Sequence, residues 1–368
     1  MTVVHLVPAM EQGGVESVVC NLNRAVAAAG WKSVVVSRGG RLAANIEADG
    51  GRHVALDLKS KNPLTYFRRA LRLRRLLRSL AAEDGDILAC AHSRVPAWLF
   101  SWANRALGLK WITYAHGANS VSRYSAVMTK GDFVVAPSKF LADFLLEKYP
   151  DRPLTPASAS LARRLRIISP SVDLVRFDPD RIDAKFAGEK RREWGVEHGE
   201  RVEMSVGRIS PVKGFGNVIR DFAESGSSKF SKLVIVGGAD ARHESHLAEL
   251  RALAHELGVG DRVVFAGAQA KMAECLSIAD EVVVGNTEKP ESFGLSVAEA
   301  LAMRRPVRLL RRFGGAGEIL AAVAASGVAD SREAVRSLYG FEAVAAKTLA
   351  LYAGALGGRQ ACDGNVLV

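Results

Sequence analysis

The stretch TVVHLVPAMEQGGVESVVCNLNRAVAAAGWKSVVVS, residues 2–37, decides the fold. Val3–Val7 is an apolar run ended by Pro8, the pattern of a parallel strand buried on both faces. A loop with Gly13 and Gly14 follows. Val15–Ala29 then has helical spacing and stops at Gly30, a glycine placed where helices close. Ser33–Ser37 is a second strand. Strand, glycine loop, helix, strand is the opening of a doubly wound α/β domain.

The same grammar runs outward. Ile87–Ala91, Trp111–Tyr114 and Phe133–Ala136 are further short strands between helical stretches, and Leu165–Ile168 closes the first half. Tyr149–Ser160, YPDRPLTPASAS, lacks apolar periodicity and reads as a loop or linker. In the second half, Val202–Val206 ends at Gly207, and Leu233–Val236 ends at Gly237-Gly238. Val263–Phe265 and Glu281–Val284 are strands, with a helix over Glu244–Leu257 between. Phe341–Leu356 reads as an Ala-rich helix. The expected fold is therefore α/β: two Rossmann-like domains facing a cleft, residues 1–170 and 171–340. The segment 341–368 is a C-terminal helix and tail packing back on the first domain, with its last dozen residues poorly ordered.

A length of 368 residues suits two domains, and 48% hydrophobic with 24% charged residues is a globular balance. The formal charge of +11 is unevenly placed. Residues 1–170 hold 24 Lys+Arg against 12 Asp+Glu, whereas 171–368 hold 26 against 27. That asymmetry disfavours a uniformly basic coat protein and points to an anionic acceptor or surface met by the first half. The longest charge-free runs are too short to span a bilayer. MTVVHLVPAM has no basic region before an apolar stretch, so no signal peptide is expected. Cys20, Cys90, Cys275 and Cys362 lie far apart without metal spacing, as in a reducing compartment. A cytoplasmic location follows, with peripheral contact at the inner face of the plasma membrane left open.

Two segments carry chemistry. In 206–214, VGRISPVKG, a strand delivers Arg208 and Lys213 in a short loop flanked by Gly207 and Gly214. Ligands bind at strand carboxyl ends in open α/β sheets, and an Arg fork with a Lys point charge suits a diphosphate; the competing view is a solvated loop with two surface charges. In 290–300, PESFGLSVAEA, Glu291 sits in a loop and Glu299 inside the next helix. Gly294 permits close approach, and the first helical turn offers free N–H groups to phosphate.

Together these segments resemble the retaining GT-B glycosyltransferases of family 4, whose second domain carries G-R-x(4)-K-G and E-x(7)-E elements. The resemblance continues in GGVE at 13–16, YAHG at 114–117, VAPSKFLADFL at 135–145, SPSVDLVRFDP at 170–179 and GGAGE at 314–318. It implies that Arg208 and Lys213 hold the nucleotide-sugar diphosphate and that Glu291 contacts the donor sugar. Phe293, Gly294 and Leu295 offer backbone N–H groups, and Glu299 binds the ribose. His116 bonds a sugar hydroxyl, and Gly13 and Gly14 let backbone approach the donor phosphates. No protein nucleophile is assigned; a front-face mechanism assisted by the leaving phosphate fits the resemblance, with no metal or other cofactor. Two departures stand out. Arg304 occupies a position where the family often has Gly, within the run Arg304, Arg305, Arg308, Arg311, Arg312, and Ser171 replaces a common Gly.

Other signals compete. Asp84-Gly85-Asp86 spells the metal-binding D-x-D of GT-A enzymes, but before a strand it reads as a solvated turn. His92, after a strand, reads either as a residue near the cleft or, in the favoured view, as a satisfied polar residue, and His243 with His246 as part of a surface helix. Pro63–Leu80 has six arginines between 68 and 78, with Leu64, Phe67, Leu71, Leu73, Leu76, Leu77 and Leu80 at near-helical spacing. Arg68, Arg69, Arg72 and Arg75 are candidate contacts to an anionic membrane or acceptor; the competing view is a core-packed outer helix with solvated arginines.

The expected protein is thus a retaining hexosyltransferase. It would act on a glycan or lipid-linked acceptor in lipopolysaccharide core or another cell-envelope glycan. A GT-B sugar-nucleotide epimerase, a glycogen-synthase-like enzyme and a non-catalytic basic scaffold are the alternatives. No aromatic-basic interleaving supports nucleic acid as a partner.

Overall fold

A computed structural model describes residues 1–11, 13–60, 62–150, 159–225 and 231–357. Most of the expected linker, the final tail and Cys362 lie outside the described residues. The chain divides into two compact units, one of residues 1–171 with 342 onward and one of Val172–Phe341.

The first unit is a seven-stranded parallel sheet. Its strands are β1 Thr2–Leu6, β2 Lys32–Ser37, β3 Arg52–Ala55, β4 Ile87–Ala91, β5 Lys110–Tyr114, β6 Phe133–Ala136 and β7 Leu165–Ile167. They lie in the order β3-β2-β1-β4-β5-β6-β7. Residue alternation sends the strands' side chains to two cores. Val4 and Leu6 pack with helices Pro63–Asp84 and Arg94–Ala103. Val3, Leu88, Cys90, Ile112 and Tyr114 pack with helix Gly14–Ala28 and with Tyr352 and Ala355 of helix Phe341–Leu356. The second unit holds β8 Arg201–Val206, β9 Ser231–Val236, β10 Val263–Gly267, β11 Glu281–Val284 and β12 Val307–Leu309, in the order β10-β9-β8-β11-β12. The order reverses between β1 and β4 in one sheet and between β8 and β11 in the other. In open α/β sheets, ligands bind outside the carboxyl ends at such switch points.

Helix Pro63–Asp84 corrects two sequence expectations. Asn62 caps it, accepting from the Leu64 N–H, and Pro63 takes the first position, where its missing N–H costs nothing. Ala70, Leu73, Leu77 and Leu80 face the core, but Leu64, Phe67 and Leu71 do not: they are 86%, 58% and 40% exposed. They share the outer face with exposed Arg68, Arg72 and Arg75. Arg69 is not on that face. It is buried, and its guanidinium donates to the carbonyls of Thr65, Asp57, Ser60 and Asn62, closing the loop ahead of its own helix. An Arg so enclosed cannot reach a lipid or an acceptor. No helix among the described residues is long and apolar enough to cross a membrane.

The arginine run after the Glu299 helix is largely structural. Arg308 pairs with Glu203, Asp221 and Glu281 at 2.7–3.0 Å. Arg305 donates to the Ala279 carbonyl. Arg304 closes helix Leu295–Ala302 with φ 55°, the left-handed conformation that glycine takes at helix ends, and Asp330 grips its guanidinium at 2.9–3.2 Å. Ser171 is buried, and its hydroxyl accepts from the Asn21 amide at 2.9 Å.

Candidate functional site

The carboxyl ends of β8 and β11 bring most of the sequence-selected residues together. Gly214 and Gly285 press their backbones so close that a Cβ on Gly214 would sit 2.1 Å from the Gly285 carbonyl oxygen. Gly214 also has φ 66°, which only glycine adopts readily. Gly207 leaves room for the Lys213 stem, whose Cε would lie 3.1 Å from a Cβ there. The Lys213 ammonium therefore crosses the loop and meets the Glu291 carboxylate at 2.6 Å, with both side chains largely covered. Arg208 is exposed and has no ion pair among the described residues. One cation is held in place and the other is free to swing onto an anion.

The Glu291 loop is clamped from behind. A Cβ on Gly315 would lie 2.4 Å from the Phe293 Cα, and the Gly315 N–H donates to the Glu291 carbonyl at 2.9 Å. The paired glycines of the 314–318 segment thus let helix Gly314–Ala325 lie against the loop. Gly294, at φ 98° and with Ala316 atoms 3.1 Å from its would-be Cβ, starts helix Leu295–Ala302. The first N–H groups of that helix have no intrahelical partner and carry the positive end of its dipole. The Phe293 side chain belongs to the core, edge-on to Tyr339, so only its backbone is available to a ligand.

Burial pushes the Glu299 carboxyl up to about 7, with Arg176 and Lys213 pulling the other way. It makes no hydrogen bond among the described residues, so near neutral pH it can either accept or donate one. Two neighbours escaped the sequence reading. Asn286 is buried and donates to the Val212 carbonyl at 2.6 Å, fixing the Lys213 turn. Arg176 lies beside Glu299 and donates to the Ala270 carbonyl. A Gly-Asn-Thr directly after a strand was the available signal for the first; nothing local marks the second.

In the first unit, His116 follows β5 and is half-buried. Its Nε2 meets the His92 Nδ1 at 3.0 Å, and the His92 Nε2 meets the His5 Nδ1 at 3.1 Å. His92 is therefore satisfied, as expected, but by a functional candidate, and His5 in β1 was missed. Burial lowers all three imidazoles, His5 to about 3 and His116 to about 4, so they are neutral at physiological pH. Gly13 and Gly14 lead into helix Gly14–Ala28 beyond the carboxyl end of β1; the Gly13 carbonyl accepts from the Ser17 N–H and hydroxyl.

The competing metal signals fall elsewhere. Asp84 accepts from the Thr2 hydroxyl and the Lys32 ammonium, and the Asp86 carbonyl accepts from the Thr2 N–H, at the amino edge of the sheet. His243 and His246 pair separately with Asp240 and Glu249. Among the described residues no three His, Cys, Asp or Glu side chains cluster to hold a metal ion.

Comparison with known proteins gives this geometry a family. Residues 12–176 match Glycosyltransferase Family 4, and residues 187–332 match Glycosyl transferases group 1. A D-inositol 3-phosphate glycosyltransferase of Acidothermus cellulolyticus is 27% identical over 259 residues, 65% of this chain and 56% of that protein. The chain spans about half the length of the curated relatives it matches, 32–56% for three of them. Among solved structures, a glycosyltransferase from Rickettsia africae superposes with TM-score 0.78 at 20% identity, over 97% of this chain and 99% of that one. Anabaena Alr3699/HepE, in complex with UDP and glucose, superposes with TM-score 0.75 at 15% identity, over 96% and 99%. With two parallel sheets, the switch-point loops and both halves matched, this chain belongs to the group 1 glycosyltransferases, with a family 4 first half, on the GT-B fold.

Proposed function

We propose that the protein transfers a hexose from a nucleoside-diphosphate sugar to a hydroxyl of an anionic acceptor, retaining the anomeric configuration. The observation that carries this reading is the Lys213–Glu291 pair at the β8/β11 switch point, beside free Arg208 and the start of helix Leu295–Ala302. As the bond between the sugar C1 and the leaving phosphate oxygen breaks, negative charge grows on the diphosphate. Arg208, Lys213 and the N–H groups of Phe293, Gly294 and Leu295 stabilise it. The acceptor oxygen bonds to C1 on the face the phosphate leaves, and its proton passes to the departing phosphate oxygen. Glu291 holds a sugar hydroxyl, Glu299 the ribose, and His116 a further sugar hydroxyl, while Gly13 and Gly14 admit the donor phosphates. The cations do the work a metal would, so chelators should leave activity intact. Calorimetry with UDP-, GDP- and ADP-glucose tests the donor site. The UDP complex of the Anabaena protein favours UDP, and unchanged affinity in both Lys213→Ala and Glu299→Gln would sink the assignment.

The acceptor reading rests on the basic first half and on the name of the curated relatives, which act on an inositol phosphate. A phosphate-bearing polyol, free or within an envelope glycan such as a lipopolysaccharide core, fits both. Product analysis with inositol 3-phosphate against a phosphorylated core glycan separates these sources. The outer face of helix Pro63–Asp84 supports contact with an anionic membrane: Leu64, Phe67 and Leu71 can enter the interface while Arg68, Arg72 and Arg75 meet headgroups. Phosphatidylcholine vesicles should pellet the protein only when phosphatidylglycerol is present. Arg72→Glu with Arg75→Glu should abolish that, and no response would refute it.

A further inference from the structure

The histidine chain of the first unit has an internal logic beyond the reading of His116 as a sugar contact, on which its functional meaning rests. β1, β4 and β5 are neighbours, and their register sets His5 opposite Cys90, two residues before His92. His92 follows β4, with its N–H donating to the Leu6 carbonyl, and His116 follows β5. Three imidazoles on adjacent strands therefore form a line from the core outward. Tyr114 stacks on His92 at 4.7 Å, and Tyr352 of the C-terminal helix approaches His5 at 6.4 Å. Its hydroxyl is spent on that of Tyr114, 2.6 Å away.

A neutral imidazole has one N–H and one bare nitrogen. The two bonds of the line must then run in the same direction, which leaves two arrangements. In one, the His5 Nδ1–H donates to the His92 Nε2, and the His92 Nδ1–H donates to the His116 Nε2. In the other, every proton is reversed. The inner end decides between them. The His5 Nε2 is fully buried and has no hydrogen-bond partner among the described residues. The reversed arrangement buries an unpaired N–H there; the first buries only a bare acceptor. Orphaned buried N–H groups are the rarer and costlier of the two.

We propose that His5 and His92 are positioning residues that fix His116 as its Nδ1–H tautomer. The His116 Nδ1 has no partner among the described residues, so its proton is the group offered to substrate. The His116 Nε2 lone pair is already taken by His92. His116 thus donates a hydrogen bond to a sugar oxygen and has no free lone pair with which to act as a base. The acceptor's proton must leave by another route, in keeping with its passage to the departing phosphate.

The test is the two-bond ¹H–¹⁵N spectrum of the ring nitrogens in the full chain labelled at histidine, near pH 7.5, with peaks assigned by single substitutions. His92 and His116 are expected as Nδ1–H tautomers, the minority form of free histidine. Nε2–H at His116 in the unsubstituted protein would overturn the proposal. His5→Phe removes the inner donor, and the His116 signals should move to a mixture of tautomers. A folded His5→Phe protein with unmoved His116 signals would also overturn it. If that variant does not fold, the unsubstituted spectrum still decides. The readout needs no donor or activity, so failure of the transferase reading, seen as absent nucleotide-sugar binding, stays distinguishable.

Discussion

At the carboxyl edge of the second sheet, opposite charges 2.6 Å apart stand on loops whose glycine backbones touch. At the carboxyl edge of the first, three neutral imidazoles are threaded between two tyrosines. The second edge suits a dianion: Lys213 is held in place by its ion pair and by close backbone packing, and exposed Arg208 is free to swing onto the charge. The first suits hydroxyls, because its groups are uncharged and their hydrogen-bond directions are set from within the core. The same fold, used twice, supplies charge in one copy and direction in the other.

The largest effect should come from the backbone contact that builds the charged edge. Gly214→Ala puts a Cβ 2.1 Å from a carbonyl oxygen at a left-handed φ, and several kcal/mol of destabilisation is expected, roughly 3 or more. Gly258→Ala has a similar φ of 69° but open space, and should cost only about 1 kcal/mol. Urea denaturation compares the two; equal losses would mean that strain and not the loop contact sets the cost.

The two edges should also answer pH in opposite senses. The Glu299 carboxyl is raised from 4.5 to about 7, so the folded protein keeps a proton that the unfolded chain releases. Its penalty is absent below about pH 4.5 and complete above about pH 7, amounting to at most about 3 kcal/mol. Glu299→Gln should therefore raise the melting temperature at pH 8 and change it little at pH 4.5. His5 and His116 are lowered from 6.5 to about 3 and about 4. Their stability is complete above pH 6.5 and is lost as pH falls toward those values. A melting temperature of Glu299→Gln that tracks the parent at every pH would erase the contrast.

Next in size, Lys213→Ala should weaken UDP binding about 10–100-fold, the worth of a hydrogen bond to a charged group. His116→Ala should leave UDP affinity unchanged in the same titration while lowering turnover. Smallest of all, Arg304→Gly exchanges the Asp330 ion pair for relief of a left-handed backbone. Those effects oppose each other, and calorimetry should find the melting temperature nearly unmoved.

The charged edge was the more legible in sequence. Arg208, Lys213, Glu291 and Glu299 stand at spacings that survive translation into space, because each segment is one loop and one helix start. The histidine line was not legible: it joins positions 5, 92 and 116, and only strand order and register make them neighbours. Arg176 was hidden for the same reason. The unread strands, β3 and β12, are short and lie at sheet edges, where alternation has too few residues to show. Helical spacing placed Leu64, Phe67 and Leu71 with the leucines of the core, but the outer face of helix Pro63–Asp84 is wide enough to carry them in solvent.

The helix Phe341–Leu356 has a consequence for the order of events at the ribosome. Tyr352 is fully buried in the first unit and bonds Tyr114 across 238 residues of chain. The first half of the chain therefore emerges long before the piece that seals its core. The second unit has all its strands by β12 and can close first. At about 5–20 residues per second, the first sheet waits about ten seconds or more with part of one face uncovered. Newly made chains stalled before this helix should be the species that chaperones hold and proteases find.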